Sequence, residues 1–140
     1  MSALPEPGAG ALGGARTFRA ELDRPEPDVA VLRAVGALSA TAEPDFSAPV
    51  REHLNAPLAL FVLDLSEVDE LDTAAAVTML EAVHRARSAG AVLRVVSSPA
   101  VDGLLARLDL TDSFTYAAST GAAVAEFRAA RAGDRGTLSA

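Results

Sequence analysis

The chain has 140 residues, enough for one domain with a real core and too few for two independent ones. Its net charge of −7 disfavours nucleic acid and anionic membrane surfaces as partners, because phosphate binding needs clustered cations; a protein partner is expected instead. The absence of cysteine excludes disulfides, thiol nucleophiles and thiolate metal sites, and 4% aromatic residues with no Trp favour closely packed helices over a large aromatic pocket.

Met1 to Ala15 has prolines and glycines but no periodicity, so residues 1–15 are expected to be a flexible leader. They lack the basic and apolar regions of a signal peptide, and no run approaches the roughly 18 apolar residues of a membrane span. The expectation is a cytoplasmic protein that does not insert into a membrane. Thr17 to Leu22 and Val29 to Val35 read as a hairpin, with Arg24-Pro25-Glu26-Pro27-Asp28 as its turn, since proline cannot donate to a ladder. Ser47 to Leu54 reads as a helix with Ser47 and Pro49 in its first turn and Pro57 closing it.

Leu58 to Leu65 has the unbroken apolar character of a central strand covered on both faces, and an acidic loop then runs to Asp72. Ala74 to Ala89 reads as an amphipathic helix ended by Gly90. Ala76, Leu80 and Val83 form its inward stripe; Thr78, Glu81, Arg85 and Ser88 recur on another face, with Glu81 and Arg85 an i,i+4 pair. Ala91 to Val96 is a second buried strand. Ser98 and Pro99 are the N-cap and first residue of a helix that turns Val101, Leu104, Leu105 and Leu108 inward. Ser113 to Tyr116 reads as a short strand, and Ser119 or Thr120 caps a last helix with Val124 and Phe127 on its apolar side. Residues 16–131 thus make one domain, and 132–140 a flexible, fraying tail. The fold class is α/β: a mixed four- to five-stranded sheet with about four helices packed largely on one side.

Signatures of catalysis are missing: there is no glycine-rich phosphate loop, no Gly-x-Ser-x-Gly elbow and no organised nucleophile, so the chain is not expected to be an enzyme or to hold a cofactor. His53 and His84 lie outside any metal-ligand spacing and are read as surface or helix-flank residues. Asp64, Glu67, Asp69, Glu70 and Asp72 lack the spacing and glycine of a calcium loop and read as a solvated acidic segment, with no metal. Asp72-Thr73 precedes the Ala-rich helix. Either residue serves as a cap there, or Thr73 carries a phosphate that the unpaired N–H groups of a helix start would welcome.

The segment from about Val35 to Ser119 resembles the STAS domain, the fold of bacterial anti-sigma-factor antagonists. Three stretches carry the likeness: Gly36 to Leu54, containing SAPVREHL; Val62 to Leu80, VLDLSEVDELDTAAAVTML; and Ser98 to Phe114, SPAVDGLLARLDLTDSF. The middle stretch is similar to the family's apolar strand followed by Asp-Ser-Ser-Gly, and the third to its Ser-Pro-x-Val…Leu…Gly-Leu pattern. Here the Ser-Ser-Gly is Thr73-Ala74-Ala75, and the Asp common after the Gly-x-Leu of the second strand is Ser39.

The resemblance implies that Thr73 is the hydroxyl phosphorylated by a partner anti-sigma factor with kinase activity. It further implies that Asp72, Thr73, Ala74, Ala75, Thr78 and Ser39 form the partner interface. The unphosphorylated protein would bind the anti-sigma factor and free the sigma factor, with any nucleotide belonging to the kinase. Two other readings are a STAS subunit stabilising an ABC-type lipid transporter, where a related Asp-Thr-Ala motif occurs, and a sensory STAS module.

Overall fold

A computed structural model describes the backbone of residues 17–139 and the side chains of residues 17–133; the expected leader lies outside the described residues. Strands β1 (Phe18–Glu26) and β2 (Val29–Leu38) form the leading antiparallel hairpin. Helix α1 (Glu43–Leu54), strand β3 (Leu60–Leu71), helix α2 (Thr73–Ala89), strand β4 (Val92–Val96), helix α3 (Pro99–Arg107), a 3-10 turn (Thr111–Ser113) and helix α4 (Thr120–Ser139) follow. The sheet order is β1-β2-β3-β4, with β2, β3 and β4 parallel. This is the expected mixed α/β architecture, with four strands.

Alternation along the strands divides the core into two layers. Phe61, Leu63 and Leu65 of β3 point to one face, against Phe46 and Val50 of α1, Met79 and Ala82 of α2, and Leu105 of α3. Leu60 and Val62 point to the other, where with Val29, Val31 and Val96 they meet Ala123 and Val124 of α4. Three helices therefore share one face, and α4 covers the opposite one. Alanines at 75, 76, 82 and 86 line the buried side of α2, so its backbone lies close to the sheet and to α1.

The main departure from the sequence reading is at β3. The segment expected as an acidic loop continues the strand to Leu71, paired with β2 through Leu38. Two bulges make this possible. Arg33 and Val35 pair with Asp64 and Glu67, so two residues of β3 oppose Ala34 alone, and between Gly36↔Val68 and Ala37↔Glu70 the extra residue is Asp69. Each bulge resets the in-out alternation, leaving Leu65, Val68 and Leu71 buried at every third position. The acidic residues between them point out.

Smaller corrections concern boundaries. Helix α1 starts at Glu43, with Pro44 in its first turn, so Ser47 is buried inside it and does not cap it. Strand β1 extends through Pro25 to Glu26 by way of an irregularity after Asp23. In α2, Thr78 is buried and Leu80 and Val83 are half-buried; Glu81 pairs with Arg51 of α1 (3.4 Å). Leu108 is exposed at the end of α3. The expected strand at Ser113 to Tyr116 reduces to the 3-10 turn and one bridge, Val95↔Tyr116. The backbone of α4 stays helical to Ser139, through the stretch expected to fray.

Candidate functional site

The parallel strands β2 and β3 end together, at Leu38 and Leu71, and the Asp72 N–H donates to the Leu38 carbonyl at 2.9 Å. This bond carries the pairing one residue past the sheet and holds Ser39 and Asp72 at neighbouring strand ends. Asp72 is extended (φ −91°, ψ 156°) and its Oδ1 accepts from the Ala74 N–H at 3.0 Å, so Asp72 is the N-cap of α2. Its carbonyl accepts from the N–H groups of Ala75 and Ala76 at 3.0 and 3.2 Å.

Thr73 is the first residue of the helix and is exposed, and its hydroxyl has no hydrogen-bond partner among the described residues. The capping role belongs to Asp72. Ala74 is exposed beside Thr73, and one turn further along the same face Val77 stands 50% exposed. Val77 escaped the sequence reading, although its spacing of four from Thr73 places it on that face. Ala75 and Thr78 turn the other way. Ala75 is fully buried, and the Thr78 hydroxyl donates to Glu43 Oε2 at 2.5 Å, linking the start of α1 to the second turn of α2. Their side chains offer no surface to a partner. Ser39 is half-buried, and its carbonyl accepts from the Ala42 N–H at 3.1 Å in the turn leading to α1.

The adjacent joint, between β4 and α3, is anchored to the same strand: the Ser98 hydroxyl donates to the Val68 carbonyl at 2.7 Å and accepts from the Val101 N–H at 3.3 Å. The rim is acidic. Arg33 bonds to Glu67, which together with the nearby Glu21 and Asp64 charges holds its guanidinium above its ordinary pKa despite some opposing desolvation. Among the described residues Glu70 and Asp72 have no ion-pair partner, and no group of acidic or histidine side chains is placed to hold a metal ion. His53 lies in the last turn of α1 near Arg24, and His84 is exposed on α2.

What the rim offers is an exposed hydroxyl, unpartnered among the described residues, at a capped helix start, with an apolar side chain one turn away and acidic neighbours. That arrangement suits docking and covalent modification.

Comparison with solved structures places the fold. An anti-sigma factor antagonist from Mycobacterium paratuberculosis superposes with a TM-score of 0.69 at 14% identity, covering 80% of this chain and 95% of that one. The Bacillus cell fate determinant SpoIIAA, in its phosphorylated form, gives 0.63 at 13% identity over 78% of this chain and 99% of its own. A form of RsbS from Moorella thermoacetica gives 0.68 at 16% identity over 81% and 97%. No curated protein matches the sequence. The STAS domain profile matches residues 23–123, which run from the end of β1 through β2 to β4 and helices α1 to α3 into the start of α4. With both its sheet order and most of its sequence accounted for in this way, the chain belongs to the STAS domain family.

Proposed function

We propose that this protein is an anti-sigma-factor antagonist acting in the cytoplasm as a binding switch and not as an enzyme. The observation that carries the reading is the exposed Thr73 hydroxyl, left without a partner among the described residues at the start of α2, where Asp72 does the capping. Proteins of this fold include anti-sigma factor antagonists, and one of them occurs in a phosphorylated form.

In the unphosphorylated state, Thr73, Ala74 and Val77 present a small, mostly apolar face, flanked by Asp72 and Ser39, to an anti-sigma factor. The partner is a kinase: Thr73 Oγ attacks the γ-phosphorus of ATP held by that kinase, ADP leaves, and the hydroxyl proton passes to a base of the partner. The added group carries about −1.5 to −2 charge near Asp72 and Glu70, which have no ion-pair partner among the described residues. The helix end favours the anion by only about 0.3–1 kcal/mol. A partner surface fitted to a neutral hydroxyl loses those contacts, and the complex dissociates.

Affinity capture of the full chain from its native cytoplasm, followed by intact-mass measurement after incubation with the recovered kinase and ATP, tests the reading. One added phosphoryl group, absent from Thr73→Ala, supports it. Recovery of a membrane transporter ATPase, with no phosphate acquired, would replace it by the transporter-subunit reading that the Asp72-Thr73-Ala74 sequence also allows.

A further inference from the structure

A second polar feature lies at the far end of α2 from Thr73, about 25 Å away by helix rise. There the last turns of α2, the amino-terminal half of β4 and the segment after α3 enclose a cleft of about 190 Å³. Its polar lining comes from Arg87, Arg94, Ser113 and Thr115, and no carboxylate lines it. In a chain with 19 acidic and 12 basic residues, neither Arg87 nor Arg94 forms an ion pair among the described residues. The one bond of the Arg94 guanidinium goes to the neighbouring Leu93 carbonyl, at 3.2 Å.

Strand β4 adds a backbone donor. The Val92 N–H donates inward to Ala59 O at 2.8 Å, while Val95 exchanges bonds outward with Thr115 and Ala117. The alternation of a parallel ladder therefore turns the Leu93 N–H outward as well, along the wall of the cleft. The carboxyl end of α2 works against an anion, an effect moderated where two of its carbonyls are engaged: Ala86 O accepts from Ala91 N–H at 2.8 Å and Arg87 O from Gly90 N–H at 3.2 Å. Two guanidinium groups, two hydroxyls and one backbone N–H remain, all able to donate; the carboxylate near them is Glu126 of α4, which lines the adjoining cleft that Arg94 also borders.

We propose that this cleft is a binding site for a small oxyanion, a phosphoryl or carboxylate group held between Arg87 and Arg94. The site is separate from the Thr73 rim and does not depend on its function. Amide NMR spectra of the full chain, titrated with inorganic phosphate or with succinate against chloride at matched ionic strength, test it. Saturable shifts at Leu93, Arg94 and Thr115 are expected, weakened about tenfold or more in Arg87→Ala/Arg94→Gln. Binding of phosphate alone assigns a phosphoryl ligand, and binding of succinate alone a carboxylate. The exposed single variant Arg87→Gln gives the same direction of change if the double variant is poorly folded, and Arg107→Ala, outside the cleft, leaves binding unchanged. No saturable shift with either anion, or shifts unaltered by the arginine substitutions, would overturn the proposal.

Discussion

The carboxylate of Asp72 accepts the Ala74 N–H at 3.0 Å, and in doing so it releases the Thr73 hydroxyl from any structural duty. Stability and switching are thus assigned to adjacent residues. Asp72→Ala is expected to cost about 1 kcal/mol of unfolding free energy, the usual loss for an N-cap, whereas Thr73→Ala should stay within about 0.5 kcal/mol of the parent. Urea unfolding of the two variants checks this. An equal loss in both would return Thr73 to a capping role.

Val77→Glu separates docking from phosphorylation. The side chain is 50% exposed, so the substitution should leave the melting temperature nearly unchanged. It should also weaken the complex with the anti-sigma factor by about tenfold or more, since an apolar contact is replaced by a desolvated charge. Calorimetric titration measures the effect, and unchanged affinity would place the interface elsewhere.

Gly36, just before the rim, has φ of +103°, and a Cβ there would collide with the Thr17 carbonyl oxygen. The same carbonyl accepts the Ala37 N–H at 3.2 Å. Gly36→Ala should destabilise the fold by roughly 1–3 kcal/mol and speed hydrogen exchange at the Ala37 amide as the start of β1 is pushed away. Retained protection at Ala37 would contradict this account.

Asp109 is the described non-glycine residue with positive φ, +59°, at the end of α3. Its neighbour Leu110 donates back to Leu105 O at 2.8 Å, closing the helix in the usual left-handed turn. Asp109→Gly removes a strain of roughly 1–2 kcal/mol at an entropic cost of roughly 0.4–1 kcal/mol. A net gain of about 0.5 kcal/mol is expected in denaturant unfolding, and Asp109→Val should lose stability.

Tyr116 is the chain's one tyrosine, and there is no Trp, so its ionisation can be followed by ultraviolet absorbance without interference. Burial raises its phenol above the ordinary value of 10.0, with Asp102 and Asp112 adding to the shift, and its hydroxyl donates to Thr111 O at 2.7 Å. Because the folded pKa is raised, this contribution to stability is full below the unfolded value and is lost as pH rises through the folded one. Spectrophotometric titration should show a midpoint above that of the urea-unfolded chain, moved downward by Asp112→Asn.

Much of the fold could be read from local signals. Asp72, Ser98 and Pro99 mark helix starts by their capping chemistry, and Gly90, with φ of +75°, marks the end of α2. The reading failed where the signal is not local. Bulges opposite Ala34 and after Val68 give β3 an apparent period of three, which looks like a loop unless the pairing with β2 is known. The spacing of Thr78 groups it with Glu81, Arg85 and Ser88 on a face apart from the apolar stripe, yet it is buried and its hydroxyl is satisfied by Glu43, a residue 35 positions earlier. At the rim, the sequence picks out Asp72 and Thr73, but which of them caps is decided by side-chain geometry, and the exposure of Val77 by tertiary packing.

The placement of α4 alone on its face of the sheet sets a practical limit on how the chain may be shortened. A fragment cut near residue 123, where the family match stops, would keep every strand and the whole rim yet uncover Val29, Val31, Leu60, Val62 and Val96 together. It would also lose the clamp formed by Arg128 with Glu26 at 2.5 Å and Arg131 with Asp28 at 2.7 Å. Such a fragment would present a sticky apolar sheet in solution and self-associate, and its capture of other proteins in a pull-down would report that bare face instead of the Thr73 surface.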